Sequence, residues 1–141
     1  VRTDTEKDRP RGDGLKKVLM KRNWYAVVIL LMLCLLLLAA GRYVDRTTEA
    51  LVQQVQAAYA LAMQGDCPAA RRAYGRAAEK ARESSGLLNL LVRRNILDQM
   101  NQTMAVLPPC AETDSLADLE METQRACTQI EQVRQSFFGG L

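Results

Sequence analysis

The chain has 141 residues, a net charge of +3 and no histidine. Without histidine, it lacks the most common general base, the most common metal ligand and any triad built on imidazole. Its four cysteines show no CxxC spacing, which argues against a zinc or thioredoxin-type site. Because no nucleophile–base or acid–base pair can be nominated, we predict a non-enzymatic protein with no catalytic residues, metal ligands or cofactor.

The basic charge is concentrated at the start of the chain. Residues 1–23 carry eight Lys and Arg side chains against four Asp and Glu, whereas the remaining residues carry eleven against twelve. A nucleic-acid-binding domain would show a basic face with interleaved aromatics, so we predict no nucleic-acid partner. Residues 1–23 have little to bury and are predicted to form a disordered basic tail. Two translation starts fit the sequence, at Val1 and at Met20.

The segment from Trp24 to Gly41, called the apolar segment below, carries no charged side chain. At 1.5 Å rise per residue its 18 residues span about 27 Å as a helix, close to the thickness of a bilayer core. Trp24 and Tyr25 at one end and Tyr43 at the other are predicted membrane-interface anchors, because amphipathic rings favour the headgroup region. Residues 24–43 are therefore predicted to form one transmembrane helix in the lipid bilayer.

The charges that flank the apolar segment predict its direction. Four basic residues crowd the N-terminal side: Lys16, Lys17, Lys21 and Arg22. On the other side, acidic residues balance Arg42 and Arg46. The positive-inside rule places the N-terminus in the cytoplasm and residues 44–138 outside it, which makes the chain a single-pass cell-membrane protein. The alternative is a cleaved signal peptide with small residues at 39–41, although the apolar run is long for one.

Residues 44–138 are predicted to be all-α, since no stretch alternates with a period of two. Helix-breaking sequences at Gly65-Asp66, Ser84-Ser85-Gly86 and Pro108-Pro109 divide them into four helices. The last helix is predicted to run from about Asp114 to Phe138. Two hairpins of similar length predict an antiparallel up-down four-helix bundle.

Each predicted helix has an apolar stripe typical of a core-facing surface. The stripes of the first two helices are rich in small residues: Val52, Val55, Ala58, Tyr59 and Ala62, then Ala70, Ala73, Tyr74, Ala77 and Ala81. The third stripe comprises Leu90, Leu97, Met100, Met104 and Leu107, widened by Leu87, Leu91 and Ile96. The fourth comprises Leu116, Leu119, Thr123, Ala126, Ile130, Val133 and Phe137.

The first hairpin is similar to part of a tetratricopeptide repeat. Small residues at Ala70 and Ala77 flank the aromatic Tyr74, after a turn glycine and a proline in the first helical turn. The chain has no second copy, so ordinary hairpin packing is favoured over a repeat array.

Two charged clusters accompany these helices. The second helix carries a basic run that predicts either a solvated face paired with nearby glutamates or a surface for acidic partners: Arg71, Arg72, Arg76, Lys80 and Arg82. An acidic cluster precedes and begins the fourth helix, where the helix dipole favours negative charge: Glu112, Asp114, Asp118, Glu120 and Glu122.

The predicted topology indicates which cysteines can form a disulfide. The up-down order brings Cys67 and Cys110 to the membrane-distal end, and an exterior compartment permits disulfides, so we predict a Cys67–Cys110 bond. Cys127 is predicted to be a free thiol, and Cys34 an apolar filler in mid-membrane. The alternative is that the exterior cysteines stay unpaired and pack as small apolar residues.

Taken together, the apolar segment after Met20-Lys21-Arg22 and the Leu-rich stretch from Leu87 to Asp98 resemble a bacterial family, domain of unknown function 4363. The resemblance covers about Met20 to Phe138. It implies one N-terminal membrane helix, a helical extracytoplasmic domain, a Gram-positive cell membrane and a multi-pass membrane partner.

Two functions fit this sequence. The first is a membrane-anchored accessory or scaffold protein whose helical domain contacts another membrane or envelope protein. The second is a peptide- or ligand-binding module with a tetratricopeptide-like groove between the two hairpins. A filled core would favour the first function, and a deep groove lined by polar groups would favour the second.

Overall fold

The computed structural model describes residues 12–112 and 115–139, with side chains from Met20 onward. Its elements are α1 (Gly12–Met63), α2 (Cys67–Leu91), α3 (Arg94–Cys110) and α4 (Leu116–Phe138). The described residues contain no strand, so the all-helical prediction is confirmed. The chain divides into two compact units, Val1–Leu38 and Ala39–Leu141. We call the second of these the helical unit.

The first unit carries the apolar side chains without burying them. Every side chain from Met20 to Ala39 is exposed. Among the described residues, one helix is long and apolar enough to cross a membrane. It lies within Met20–Met63 and contains an 18-residue window with a mean hydropathy of 2.6. Trp24 and Tyr25 are both about two-thirds exposed. Tyr43 belongs to the helical unit, where it is half-buried against the core.

Helix α1 begins earlier than the predicted transmembrane helix. Residues 12–23 form its first turns, whereas the sequence predicted a disordered tail, and residues 1–11 lie outside the described residues. Leu, Lys and Met are frequent in residues 15–21 and favour helix, and no proline follows Pro10 in this stretch.

The turn after α1 lies where the sequence predicted it. Gly65 adopts a φ of +82°, a left-handed conformation that favours glycine. The Asp66 carboxylate accepts a hydrogen bond from the Ala69 N–H at 3.0 Å and caps α2, while Pro68 occupies the first turn, where its missing N–H has no helical partner.

The predicted helix end at Ser84-Ser85-Gly86 is wrong, because α2 continues through it to Leu91. The Ser85 hydroxyl donates to the Ala81 carbonyl at 2.8 Å and accepts from Asn101 Nδ2 at 2.8 Å, so this serine is satisfied inside a helix. The break comes at Val92, whose backbone is extended at φ −128° and ψ 152°. Leu87 to Leu91 therefore belong to α2 rather than α3.

The later helix bounds differ by a few residues. Helix α3 includes both prolines of Pro108-Pro109 and ends at Cys110. Helix α4 begins at Leu116, capped by the Ser115 hydroxyl, which accepts from the Asp118 N–H at 3.3 Å. Asp114, where the fourth helix was predicted to begin, lies outside the described residues.

Most of the predicted stripes form the core of the helical unit. All five residues predicted for α2 are buried, as are Leu97, Met100, Met104 and Leu107 of α3. Six of the seven predicted α4 residues are buried, and the exception is Leu116, which is 47% exposed. Leu87 and Leu90 are also exposed, so their assignment to the core is wrong, whereas Leu88 and Val92 are buried in their place.

Polar contacts join the helices of this unit. Arg134 of α4 pairs with Asp45 of α1 at 3.8 Å, and Tyr59 donates to the Glu120 carboxylate further along the same two helices. The hydroxyls of Tyr74 and Thr123 lie 2.8 Å apart and link α2 to α4 in the buried interior.

Candidate functional site

An open groove of about 620 Å³ lies between the start of α2 and the end of α3. Its walls combine a thiol, two prolines and three charged side chains: Cys67, Pro68, Arg71, Arg72, Gly75, Pro108 and Glu112. The groove brings the Gly65-Asp66 turn beside the Pro108-Pro109 helix end, although the two are more than forty residues apart in sequence. It therefore lies between α2 and α3.

An ion pair between Arg71 and Glu112 spans this groove. Both side chains are more than half exposed, so solvent screens the pair and it contributes little to stability. Arg72 is also exposed but makes no ion pair with any residue that the structure describes. The groove thus offers one uncompensated guanidinium group beside a salt-bridged one.

The small-residue face of α2 lies behind this groove and is filled. Ala70, Ala77 and Tyr74 are each 0% exposed, and Tyr74 does not line the groove. Burial raises the pKa of Tyr74, against a smaller lowering effect of the hydrogen bond with Thr123. The tyrosine predicted to fill the gap between small residues therefore has a structural role, and its hydroxyl stays protonated near neutral pH.

The basic run on α2 divides into paired and unpaired cations. Arg82 pairs with Glu79 at 3.0 Å, and Arg71 pairs with Glu112. Arg76, like Arg72, is exposed, Lys80 is half-buried, and none of the three makes an ion pair with the described part of the chain. The run is therefore partly the solvated face that the sequence predicted, with an exposed cationic strip at positions 72 and 76.

The acidic cluster has structural partners. Glu122 pairs with Arg125 at 3.6 Å, Glu120 accepts from Tyr59, and Glu112 pairs with Arg71. Partial burial and the nearby Glu120 raise the pKa of Tyr59. In the ranges 20–112 and 115–139, no group of three His, Cys, Asp or Glu side chains is arranged to hold a metal ion.

The three cysteines of the helical unit occupy different environments. Cys67 is exposed and lines the groove, whereas Cys110 and Cys127 are half-buried. Burial raises the pKa of Cys110, with smaller effects of Glu122 and Asp118, and burial alone raises the pKa of Cys127. A raised pKa keeps a thiol protonated and weakly nucleophilic at neutral pH.

The Cys67–Cys110 bond stays a prediction. The groove is lined by Cys67 and by Pro108, two residues before Cys110, but not by Cys110 itself. Cys34 is exposed within the apolar segment.

Sequence reasoning identified the residues around the groove but not their pairing. Arg71 was identified as part of a basic run and Glu112 as part of an acidic cluster, yet 41 residues separate them. The Tyr74–Thr123 and Ser85–Asn101 bonds were likewise missed, because only tertiary packing brings their partners together.

No protein-family model, curated protein or solved structure matches this chain. The resemblance to the domain of unknown function 4363 family therefore stays a prediction.

Proposed function

We propose that the apolar segment is a permanent single-pass membrane anchor, with the N-terminus in the cytoplasm and the helical unit outside. A soluble protein would bury an apolar helix of this length, yet only 6% of its most apolar window is buried. Lipid is the environment that suits such a surface. The excess of Lys and Arg before Trp24 supports the direction.

The helical unit is proposed to be an antiparallel up-down bundle of two hairpins. Residues later in α1 contact residues earlier in α4, as expected of antiparallel helices. The three contacts are Gly41 with Phe137, Asp45 with Arg134, and Tyr59 with Glu120. The Ser85–Asn101 bond and the Arg71–Glu112 pair likewise support opposite directions for α2 and α3.

This architecture leads us to propose a non-enzymatic accessory or scaffold protein that binds another membrane or envelope protein. The observation that carries the proposal is the filled core beneath an exposed cationic strip. The largest core side chains are fully buried, so binding must use the surface, and Arg72 and Arg76 are the cations of α2 that face solvent without an ion-pair partner among the described residues. Exposed guanidinium groups suit an acidic protein surface.

Photo-crosslinking in native membranes tests this function. A benzophenone amino acid at Arg76 should form an adduct with one membrane or envelope protein, and Arg72→Glu in the same chain should weaken that adduct. The matched control places the same probe at Thr128, an exposed position on α4. Equal adducts from both positions, or none from Arg76, would argue against a specific partner on α2.

The groove supports a second candidate function, the binding of a peptide or small ligand. Its volume is in the range of small-ligand sites, and Arg72 provides a free cation for a carboxylate group. The two functions are separable by Gly75→Trp, which would fill the groove. Loss of the Arg76 adduct in this variant would indicate that the partner enters the groove, whereas an unchanged adduct would favour docking on the exposed strip.

A further inference from the structure

The helical unit also exposes large apolar side chains, and three of them belong to the end of α2 and the end of α4. Leu90 is 82% exposed, Leu87 is 57% exposed and Phe138 is 47% exposed. Arg93 precedes α3, is exposed and forms no ion pair with a described residue. Leu90 is the most exposed large apolar side chain among the described residues, and a contiguous patch of such side chains marks a protein or membrane interaction site.

These side chains lie at the same end of the unit. A cavity places the α2–α3 break beside the end of α4, and it is lined by Arg93, Ile96, Gln132, Gln135, Ser136 and Gly139. Phe138 follows Phe137, and the rings of both lie within about 4 Å of the position that a Cβ on Gly41 would occupy. Leu90 and Arg93 flank the break between α2 and α3 at Val92.

Gly41 connects this end of the unit to the bilayer. It is the last residue of the apolar segment, so a chain that leaves the hydrocarbon there brings Phe138 to the headgroup region. Apolar side chains beside arginine are the composition of surfaces that bind at the lipid interface, because leucine and phenylalanine enter the acyl boundary while arginine reaches phosphate. The groove at the other end has charged walls, and the exposed Met63, Val106 and Leu116 lie outside it.

We propose that the surface formed by Leu87, Leu90, Arg93 and Phe138 rests on the bilayer. Leu90 and Phe138 enter the interface, and Arg93 binds lipid phosphate. This inference rests on the proposed membrane anchor, and it goes further because it makes lipid a direct ligand of the helical unit.

Depth-dependent fluorescence quenching of the full chain tests the inference. Trp24 is the one tryptophan of the sequence, so Trp24→Phe removes the background and Phe138→Trp then places a probe on the proposed surface. In phosphatidylglycerol-containing vesicles, lipids brominated near the headgroup should remove most of the Phe138→Trp fluorescence. Leu90→Trp in the same background provides a second, independent probe.

Met63→Trp is the matched control, since Met63 is 58% exposed at the far end of α1 and should keep its fluorescence. Equal quenching of the Met63→Trp and Phe138→Trp variants would overturn the inference. Quenching of Trp24 in the wild-type chain distinguishes failure of the docking surface from failure of the anchor. Quenching of Trp24 without quenching of Phe138→Trp or Leu90→Trp would leave the anchor standing and reject the docking surface. No quenching of Trp24 would reject the anchor and the inference with it.

Discussion

The Tyr74 hydroxyl joins two helices inside the core, 2.8 Å from the Thr123 hydroxyl. Tyr74 is fully buried and Thr123 is 6% exposed, so neither group has water as an alternative partner. We expect Tyr74→Phe to lower the free energy of unfolding by about 1–2 kcal/mol, because it leaves the threonine hydroxyl buried and unpaired. Denaturant unfolding of the full chain in mild detergent, followed by circular dichroism, measures this change.

Tyr43→Phe is the control for that substitution. Tyr43 is half-buried, and its hydroxyl makes no hydrogen bond with a described residue, so its loss should cost little. Equal effects of the two substitutions would mean that the Tyr74–Thr123 bond does not stabilise the fold.

The same tyrosine predicts a pH dependence. Burial raises the pKa of Tyr74 in the folded chain above the ordinary value of 10.0, at which it would ionise when unfolded. Its contribution to stability is therefore complete below pH 10 and is lost as the pH rises above 10. The pKa values of Tyr59, Cys110 and Cys127 are raised as well, so the wild-type chain should lose stability over a broader alkaline range.

Comparison of wild type with Tyr74→Phe isolates the tyrosine. Unfolding free energies measured between pH 8 and 11 should fall less steeply above pH 10 in the variant. Identical slopes would contradict a buried, neutral Tyr74.

At the scale of the helix, substitution of a glycine inside α2 tests whether this helix is continuous. Gly86 lies inside α2 with open space around the position of a Cβ, so Gly86→Ala should stabilise the chain by about 0.5–1 kcal/mol. Gly65→Ala is the contrasting variant and should destabilise, because Gly65 has a φ of +82°. Thermal unfolding of both variants decides the point, and a destabilising Gly86→Ala would return the helix end to Ser84-Ser85-Gly86.

Substitution of a larger side chain tests the packing of α2. Ala77 is fully buried, and Ala77→Leu should overpack the core at a cost of about 1–3 kcal/mol. Ala60→Leu is the control, because Ala60 is exposed on α1. If denaturant unfolding gave less than half a kcal/mol for Ala77→Leu, the small-residue face would not be a helix contact.

The accuracy of the sequence predictions depended on how local each signal was. The turn at Gly65 and the stripe of α4 were predictable because a left-handed glycine and a helical repeat act within a few residues. The end of α2 was not predictable, because the helix continues past Ser85. The Ser85 hydroxyl accepts a hydrogen bond from Asn101, 16 residues away in sequence. In the groove the residue types were predictable, but the Arg71–Glu112 pair depends on two helix ends that only the folded unit brings together.

The whole molecule combines two units with opposite surfaces. In the first, apolar side chains are exposed from Val27 to Leu38, whereas the helical unit buries most of its apolar residues in one core. The proposed anchor, the cationic strip and the lipid-facing surface all follow from this division. If the anchor is wrong, the exposed apolar segment is a cleaved signal peptide or meets a protein partner.

Topology is therefore the property to measure. A reporter enzyme that is active only outside the cytoplasm, fused after Leu141, should be active and should stay in the membrane fraction after alkaline extraction. Neutral substitutions of Lys16, Lys17, Lys21 and Arg22 together should reduce that activity, since they remove the charge that orients the segment. An inactive reporter on the expressed chain, or its full release into the medium, would contradict a single-pass anchor with an exterior helical unit.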